Sequence, residues 1–295
     1  MKKIFLTGAS GKLGSYLYPI LNNNFKVYGV GKKTNLKHIN KLNLLNNSNL
    51  KKRLNKLKPD IIIHLAAITD VDLCEKNTNL AYKTNILVTN NLVNWCLKNK
   101  KKVQFIYISS DQVYNHKVLN RENDTLNPLN FYAFSKIASE NIVSKLKNSL
   151  VLRTNFFGFF FNKNGSLIDW YLRMLRLNKR INLIKDITFN PLYVETLCSI
   201  INKIILKKDI RGIYNLGTRN KVSKGMLLYK LTKKIGASTH LLKFVKTNQI
   251  NLFAIRPKNM FMSVDKIEKK LRVKMPNIDY EINLLKDKLI KENAI

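Results

Sequence analysis

Short apolar runs alternate with polar or amphipathic stretches of helical length along the first half of the chain. The runs cover 3–7, 26–30, 61–67, 103–108 and 150–154. Such runs are typical of strands that are buried on both faces of a parallel sheet. The stretches between them have room for the crossover helices that parallel strands need. The pattern therefore predicts the α/β class, with a Rossmann-type, doubly wound parallel sheet.

Weaker patterns give three further expectations. We expect a third strand to end at Leu42–Leu44, before a polar helix. A long helix should cover about Asn79 to Asn99, and the tail from Lys221 onward should be helical and charged.

The regular alternation stops after residue 154. We therefore assign residues 1–153 to a dinucleotide-binding domain, to which residues 187–217 return, and residues 154–295 mainly to a smaller substrate-binding region. The aromatic run Phe156–Phe161 opens that region. It either stacks on a nucleobase or fills the core.

A glycine-rich turn follows the first predicted strand directly. Its glycines are Gly8, Gly11 and Gly14, and a helical pattern begins after them. Glycines in this context let the backbone turn tightly and approach a pyrophosphate, which meets the positive end of the helix. The turn therefore predicts dinucleotide binding.

The end of the second strand indicates which dinucleotide is bound. A site that prefers NAD usually has an acid there for the ribose hydroxyls. This chain has Lys32 and Lys33 instead. Two cations favour a 2′-phosphate, so NADPH is the expected cofactor and NADH is the alternative.

A tyrosine and a lysine lie four residues apart in a predicted helix. Tyr132 and Lys136 therefore share one helix face, with Pro128 and Asn130 as start signals. A nearby cation favours the phenolate of a tyrosine, which can then act near neutral pH. Ser110 ends a buried strand, on the sheet edge where ligands bind. These three residues are candidates for acid–base chemistry.

The net charge of +35 comes from 53 Lys and Arg against 18 Asp and Glu. Only ten of the cations are Arg, and 39 residues are Asn, so a composition bias explains the charge better than nucleic-acid binding. Three scattered cysteines and four scattered histidines indicate neither a disulfide scaffold nor a metal site. No apolar run has the length of a membrane span. We expect a cytoplasmic protein, and we allow for a homodimer.

Several segments together resemble the extended short-chain dehydrogenase/reductases, and most of all the dTDP-4-dehydrorhamnose reductases. The resemblance spans essentially the whole chain. It rests on Thr7–Gly14, His64–Thr69 with Val71, Asp72 and Glu75, Asn85, Ile108–Tyr114, Pro128–Lys136, Leu152–Thr154, and Arg256–Asn259 with Asp265–Ile267.

The resemblance implies a role for each candidate. Ser110 would hydrogen-bond the substrate carbonyl, Tyr132 would donate the proton, and Lys136 would lower the pKa of Tyr132 and hold the nicotinamide ribose. The expected cofactor-binding residues are Gly8, Ser10, Gly11, Lys12, Leu13, Gly14, Lys32, Lys33, Asn43, Leu44, Ala66, Ala67, Thr69, Asn85, Tyr132 and Lys136. The implied substrate-binding residues are Thr69, Val71, Asp72, Ser110, Asp111, Asn155, Phe156, Pro191 and Arg256.

Three positions depart from the family's patterns. Dehydratases of the superfamily have an Asp-Glu pair where this chain has Asp111 and Gln112, and a neutral amide cannot abstract a proton. Ser110 stands where the rhamnose reductases usually have Thr. Asn43 stands where an Asp is common, which concerns the adenine side of the cofactor.

These residues lead to one main hypothesis, an NADPH-dependent reductase of a nucleotide-linked 4-keto-6-deoxy sugar in surface polysaccharide synthesis. A sugar-nucleotide epimerase with bound NAD is one alternative. A non-catalytic NADP-binding regulatory subunit is another, because relatives with this fold act in that way.

Overall fold

The computed structural model describes residues 1–32, 38–99, 102–115, 118–160, 166–207 and 209–295. The strands within these residues are β1 (Lys3–Thr7), β2 (Lys26–Gly31), β3 (Ile39–Lys41), β4 (Ile61–His64), β5 (Gln104–Ile108), β6 (Ser149–Thr154), β7 (Phe156–Phe157), β8 (Ile181–Ile184), β9 (Thr188–Phe189), β10 (Leu192–Tyr193), β11 (Gly212–Leu216), β12 (Val222–Ser223) and β13 (Leu242–Val245).

Seven of these strands form one sheet in the order β11-β6-β5-β4-β1-β2-β3. Every neighbouring pair in it is parallel. The chain order reverses between β1 and β4, and the register there pairs Thr7 with His64. A crevice at the carboxyl ends of the strands, beside such a reversal, is where open α/β sheets bind ligands. The predicted fold class is confirmed.

Helices cover both faces of the sheet. They are α1 (Lys12–Asn22), α2 (Asn47–Leu57), α3 (Val71–Lys76), α4 (Thr78–Ala81), α5 (Val88–Lys98), α6 (Phe131–Val143), α7 (Leu167–Arg176), α8 (Val194–Leu206), α9 (Lys224–Lys234), α10 (Asp265–Leu271) and α11 (Ile278–Lys291). No helix in the described ranges is both long enough and apolar enough to cross a membrane.

Alternate residues of each central strand pack into different cores. In β1, Ile4 and Leu6 belong to the cluster that includes α1 and α8, whereas Phe5 belongs to the cluster that includes α2 and α5. All three side chains are fully buried. Burial of such a side chain contributes about 1.5–3 kcal/mol, so continuous apolar runs place this sheet in the middle of the domain.

Two local predictions are confirmed at the ends of elements. The first strand covers the expected residues, and α6 begins at Phe131. The Asn130 side chain caps α6 by accepting a 2.9 Å hydrogen bond from the amide of Ala133. Such a cap fixes where the helix begins, and so fixes which turn carries Tyr132.

The predicted end of the third strand is wrong. β3 stops at Lys41, and a turn separates it from α2. In that turn the Asn43 side chain accepts from the amide of Leu45, and Asn46 caps α2. Asn side chains that bond to nearby backbone compete with strand pairing, which explains the early stop.

The long helix predicted over about 79–99 is confirmed in its extent, because helical backbone runs without a break from Thr78 to Lys98. A π-helical turn (Tyr82–Leu87) lies within it, between α4 and α5. A π-helical turn has a wider turn than an α-helix, but one such turn changes the spacing of apolar residues little. The periodicity of the sequence therefore did not reveal the π-helical turn. π-helical turns often occur at functional sites.

The tail from Lys221 is not wholly helical, since it contains β12 and β13. β13 pairs in parallel with β8, some sixty residues away in sequence, and two of its residues are exposed. A half-exposed strand with a distant partner has only a weak local signal. In the smaller sheets, β7 pairs with β10 and β9 with β12. The division into two domains stays a prediction.

Candidate active site

The loop between β1 and α1 has a backbone that requires glycine at two positions. Gly8 has a φ of +68°, in the region that side chains rarely adopt. A Cβ atom there would lie 2.8 Å from the backbone nitrogen of Ala66, in the loop after β4. A Cβ atom on Gly14 would collide with the carbonyl oxygen of Gly8. Only glycine fits at these two positions, so the backbone of the loop is not covered by side chains there. We call this loop, Gly8–Gly14, the glycine cradle; a bare backbone of this kind is what a pyrophosphate site requires.

Helix α1 begins directly behind this cradle. Lys12 is its first residue, Leu13 is buried, and no acidic side chain occurs in the first turn. The amide of Gly11 donates a 2.9 Å hydrogen bond to the carbonyl of Gly8, which places Ser10 in the turn between them. The positive end of the helix dipole therefore faces the sheet edge without a neutralising carboxylate, which fits the pyrophosphate of a dinucleotide.

The neighbouring strands end at the same edge. Lys32 follows β2 and is exposed, whereas Lys33 lies outside the described residues. Asn43 is exposed and Leu44 is half-buried in the turn after β3. The cofactor contacts expected of Lys32, Asn43 and Leu44 stay predictions.

A histidine ties the ends of β1 and β4 together. The hydroxyl of Thr7 bonds His64 Nδ1 at 2.7 Å and accepts from the amides of Leu65 and Ala66 at 3.2 Å each. Burial, with the charge of Lys136, lowers the pKa of His64 to about 3. The ring is therefore neutral at physiological pH, and it holds the loop that faces the glycine cradle.

Asn85, in the π-helical turn, fixes the next part of that loop. Its side chain accepts from the amide of Ile68 at 2.8 Å and donates to the carbonyl of Ile68 at 3.1 Å. It also donates to Ser135 on α6 at 3.0 Å. Ala67 is half-buried and Thr69 is exposed on either side of this anchor. The π-helical turn thus positions the buried side-chain amide of Asn85 so that it bonds both the loop after β4 and helix α6, which carries Tyr132.

Three successive turns of α6 contact the end of β5. The ammonium of Lys136 donates to the carbonyl of Ile108 at 2.9 Å. Ser109 donates to the carboxylate of Glu140. Tyr132, on the first of these turns, also interacts with Ser110, which lowers its pKa. We call this set the α6 clasp: Tyr132, Lys136 and Glu140 on the helix, and Ile108, Ser109 and Ser110 on the strand end.

A buried ion pair joins the clasp to β6. Arg153 Nη2 lies 2.6 Å from Glu140 Oε2, and Arg153 Nε lies 3.1 Å from both carboxylate oxygens. The side chains are only 3% and 4% exposed. Arg153 also donates to the hydroxyl of Tyr114 at 2.6 Å, which donates in turn to Asn215 on β11. Bidentate geometry and the further bonds of Arg153 make this pair a rigid support.

The two titratable groups at the heart of the clasp have strongly shifted pKa values. The pKa of Tyr132 is raised and not lowered as expected from Lys136, because burial outweighs the interaction with Ser110 that opposes the rise. The phenol is therefore protonated at neutral pH, which is the form that can donate a proton. Burial lowers the pKa of Lys136 to about 8, while the charge of Glu140 raises it. The structure brings the three catalytic candidates together in one buried cluster.

Asp111 extends this cluster toward the substrate side. Ser110 Oγ donates to its carboxylate at 3.1 Å, and Asn155 Nδ2 donates to the other oxygen at 2.7 Å. Burial raises the pKa of Asp111 to about 6, and the hydrogen bond from Asn155 and the charge of Lys224 oppose the rise. Gln112, the next residue, accepts a 3.3 Å hydrogen bond from Asn130, the cap of α6.

A second set of charged side chains lies where α3 meets the segment around Arg256. Arg256 Nη2 lies 2.9 Å from Asp72 Oδ1, and the amide of Ala254 donates to the same oxygen at 2.9 Å. Burial raises the pKa of Asp72, but the bonds from Ala254 and Arg256 outweigh it and keep the pKa below its usual value. Lys224 begins α9 and is half-buried, and its charge interacts with those of Asp111 and Arg256. We call Asp72, Lys224 and Arg256 the outer wall.

The remaining substrate candidates belong to different packed parts of the chain. Val71 packs against Tyr132 in a small buried cluster. Phe156 is partly buried in the strand that pairs with β10, and Pro191 is buried just before β10. Phe157 and Phe160 lie in the main core, which makes that part of the aromatic run a plug. Phe161 lies outside the described residues.

Two residues of the site were missed by the sequence interpretation. Glu140 follows Tyr132 and Lys136 at the same four-residue spacing, which is a signal that could have identified it. Lys224 is one of many lysines, and nothing in its local sequence distinguishes it. Only the folded chain places it near Asp111.

A family model described as "RmlD substrate binding domain" matches residues 1–290. The dTDP-4-dehydrorhamnose reductase of Aggregatibacter actinomycetemcomitans is 24% identical over 284 residues, which are 91% of this chain and 92% of that protein. The dTDP-D-glucose 4,6-dehydratase of Dictyostelium discoideum is 31% identical over 260 residues. Those cover 76% of this chain, which spans 60% of that relative's length.

A solved structure of similar fold is the dTDP-4-dehydrorhamnose reductase of Bacillus anthracis in complex with NADP. It has a TM-score of 0.88 and 25% sequence identity, and the match covers 97% of this chain and 99% of that one. These comparisons confirm the resemblance that the motifs indicated.

Proposed function

We propose a function from the premise that this chain belongs to the family described as the RmlD substrate binding domain. It is an NAD(P)-dependent oxidoreductase that acts on a carbonyl or alcohol group. More specifically, it reduces the 4-keto group of a nucleotide-linked 4-keto-6-deoxy sugar with NADPH, as a step in surface polysaccharide synthesis. The observation that supports the proposal most directly is the α6 clasp, which holds Ser110, Tyr132 and Lys136 in one buried cluster.

The clasp supplies what reduction of a ketone requires. NADPH, when bound, supplies the hydride that adds to the carbonyl carbon. Negative charge then grows on the carbonyl oxygen. The hydroxyl of Ser110 donates a hydrogen bond to that oxygen, and the phenol of Tyr132 transfers its proton to it, so that an alcohol forms. The ammonium of Lys136 stabilises the phenolate that remains.

The residues around the cradle suit the cofactor. The bare backbone at Gly8 and Gly14 and the open end of α1 would hold the pyrophosphate. Lys32 would lie beside the 2′-phosphate, together with Lys33. Lys136 would also contact the nicotinamide ribose.

The proposal is tested by following the oxidation of NADPH at 340 nm with a panel of dTDP-, UDP- and GDP-linked 4-keto-6-deoxy sugars. We expect turnover with at least one member and little with NADH. If no keto sugar is turned over while the folded protein binds NADPH, the reductase function is wrong, and the regulatory-subunit alternative gains support. Tightly bound NAD in the purified protein would instead favour the epimerase alternative.

Dehydration is a second candidate, because the 31% identical relative is named as a dTDP-D-glucose 4,6-dehydratase. The site argues against it. Dehydratases pair Asp with Glu, and here the second position is Gln112, whose amide oxygen is bonded to Asn130. An amide cannot abstract a proton. Incubation of dTDP-glucose with the protein and NAD should therefore give no 4-keto product, which chromatography of the nucleotide sugars would detect.

A further inference from the structure

Lys136 is a buried cation whose charge is only partly compensated by hydrogen bonds. The residue is 4% exposed, and its ammonium donates one hydrogen bond within the described ranges, to the carbonyl of Ile108. The carboxylate of Glu140, one turn further along α6, is bonded to Ser109 and Arg153. No carboxylate of the described residues forms an ion pair with Lys136 itself. A buried charge is unfavourable unless its surroundings compensate it, so other groups must contribute.

Two aromatic rings lie close enough to do so. The Nζ atom of Lys136 is 4.9 Å from the centroid of the Tyr107 ring and 5.8 Å from that of the Tyr132 ring. The negative face of an aromatic ring attracts a cation at such distances, most strongly where water is excluded. Tyr107 is the nearer of the two and is 2% exposed. Since Tyr132 changes its own charge in the proposed reaction, Tyr107 is the one of these two rings whose face stays unchanged.

The ring of Tyr107 is itself held in place by its neighbours. The parallel pairing of β4 with β5 sets Tyr107 opposite His64, and the centroids of their rings are 5.8 Å apart. The two nitrogens of His64 are bonded to the hydroxyls of Thr7 at 2.7 Å and Thr89 at 3.0 Å. A chain of fixed contacts therefore leads from the ends of β1 and β4, through two rings, to the ammonium of Lys136.

We propose that Tyr107 is a positioning residue, whose ring face holds the ammonium of Lys136 near Tyr132 and stabilises its charge. The inference rests on the proposed function and adds a residue to which the motifs gave no role. When Tyr132 gives up its proton, the ammonium must already be charged and in place to stabilise the phenolate. A ring face stabilises the cation without neutralising it, as a carboxylate bound to the ammonium would.

The test follows the protonation of Lys136 directly, by NMR of the full chain with ¹³C-labelled lysines. The signal of Lys136 is the one that Lys136→Met removes, and its chemical shift reports the titration of the ammonium. In Tyr107→Leu, which removes the ring, the titration midpoint should fall by about one pH unit below that of the wild type, the scale of a desolvated cation–π contact. Tyr107→Phe keeps the ring face and should titrate like the wild type.

Two further variants separate the ring face from packing in general. Phe105→Leu removes another buried ring from β5, whose centroid lies 6.3 Å from that of His64. It should destabilise the protein as Tyr107→Leu does and leave the titration of Lys136 unchanged. A phenylalanine with three ring fluorines at position 107 keeps the shape of the ring and weakens the negative potential of its face. It should lower the midpoint, and it serves the test even if Tyr107→Leu does not fold.

A second readout is the pH profile of NADPH oxidation with a keto sugar that is turned over. Burial keeps the pKa of Tyr132 above its ordinary value, so the alkaline limb of the profile should follow Lys136. In Tyr107→Leu this limb should move to lower pH together with the NMR midpoint. In Phe105→Leu it should stay where it is in the wild type.

Either of two results overturns the proposal. One is that Tyr107→Leu and Phe105→Leu have the same titration midpoint for Lys136. The other is that the fluorinated ring leaves the midpoint unchanged relative to Tyr107→Phe. The NMR titration needs no substrate, so both results are distinct from a failure of the reductase assay. Turnover of a keto sugar with an unmoved midpoint would leave the proposed function intact and refute the role of Tyr107.

Discussion

The α6 clasp and the outer wall both contain residues of the candidate site, but they are built differently. In the clasp, Lys136 is buried and bonded within the fold, and Glu140 is locked to Arg153. In the wall, Asp72 has a side chain that is 37% exposed, and Lys224 has no hydrogen-bond partner among the described residues.

This difference indicates a division of labour. Groups that act on a developing charge work best when they are held in place before the reaction, because no reorganisation is then needed. Groups that select a ligand can remain partly unbonded in the free protein and form their remaining hydrogen bonds when the ligand binds. Changes in the clasp should therefore affect turnover and stability, whereas changes in the wall should affect which ligand binds.

The largest effect is expected from Tyr132→Phe. The substitution removes one hydroxyl from the clasp and keeps the ring that packs against Val71. Turnover should fall by about a hundred- to ten-thousandfold, as for other general acids, while NADPH affinity stays nearly unchanged. Steady-state kinetics and cofactor titration measure the two quantities.

The matched control is Tyr280→Phe, which removes a hydroxyl from an exposed tyrosine. It should change neither quantity. If Tyr132→Phe keeps more than about a tenth of wild-type turnover, Tyr132 is not the proton donor.

The next largest effect is on the free energy of unfolding, and three arginine variants are compared for it. Arg153→Met leaves the buried carboxylate of Glu140 unpaired, which should cost about 3–5 kcal/mol of unfolding free energy. Arg256→Met, in the wall, should cost about 1 kcal/mol or less, because Asp72 stays partly solvated. Urea unfolding measures both.

Arg121→Met serves as the surface reference. Its pair with Asp265 spans 3.5 Å and is largely exposed, so its loss should cost about 0–1 kcal/mol. Similar losses for Arg153→Met and Arg121→Met would contradict the rigid support assigned to the clasp.

A smaller effect depends on pH and concerns His64, beneath the clasp. Burial lowers its pKa to about 3, whereas the unfolded chain protonates it near the ordinary value of 6.5. Between these values the unfolded state binds more protons, so the unfolding free energy falls as the pH falls. The slope from this residue should be about 1.4 kcal/mol per pH unit.

Asp111 and Glu281 titrate in part of the same window with raised pKa values, and they change stability in the opposite direction. The variant therefore has to be compared with the wild type. His64→Gln should show a shallower loss between pH 6.5 and 5, and the same substitution at the exposed His240 should not. Parallel pH profiles for His64→Gln and the wild type would refute this assignment.

The smallest effect is expected at the cofactor end, outside both regions. Lys32 is exposed, so its attraction to a 2′-phosphate is screened by salt. Lys32→Ala should reduce the preference for NADPH over NADH by a few fold, and less at high ionic strength. Calorimetry with both cofactors measures this.

Lys102→Ala removes an exposed lysine that precedes β5, at the opposite edge of the sheet, and it should change nothing. Equal affinity of the wild-type protein for the two cofactors would show that this end of the site does not select NADPH.

The sequence by itself determined the sheet, the glycine loop and the helix that carries Tyr132. Each of these depends on local patterns: buried strands read as apolar runs, a tight turn needs glycine, and Asn130 caps the helix that begins beside it. Local competition also explains the error at Leu42–Leu44, where asparagine side chains bond to the nearby backbone and end the strand early.

Only the tertiary structure decided which residues form the outer wall and which ion pair supports the clasp. Arg153 contacts Glu140 because β6 lies beside β5. Lys224 is brought toward Asp111 because the strand before it, β12, pairs with β9, some thirty residues earlier in the sequence. The π-helical turn at Asn85 likewise has a function only through Ile68 and Ser135. Such contacts join residues that are distant in sequence, and in a chain so rich in lysine and asparagine no local pattern distinguishes them.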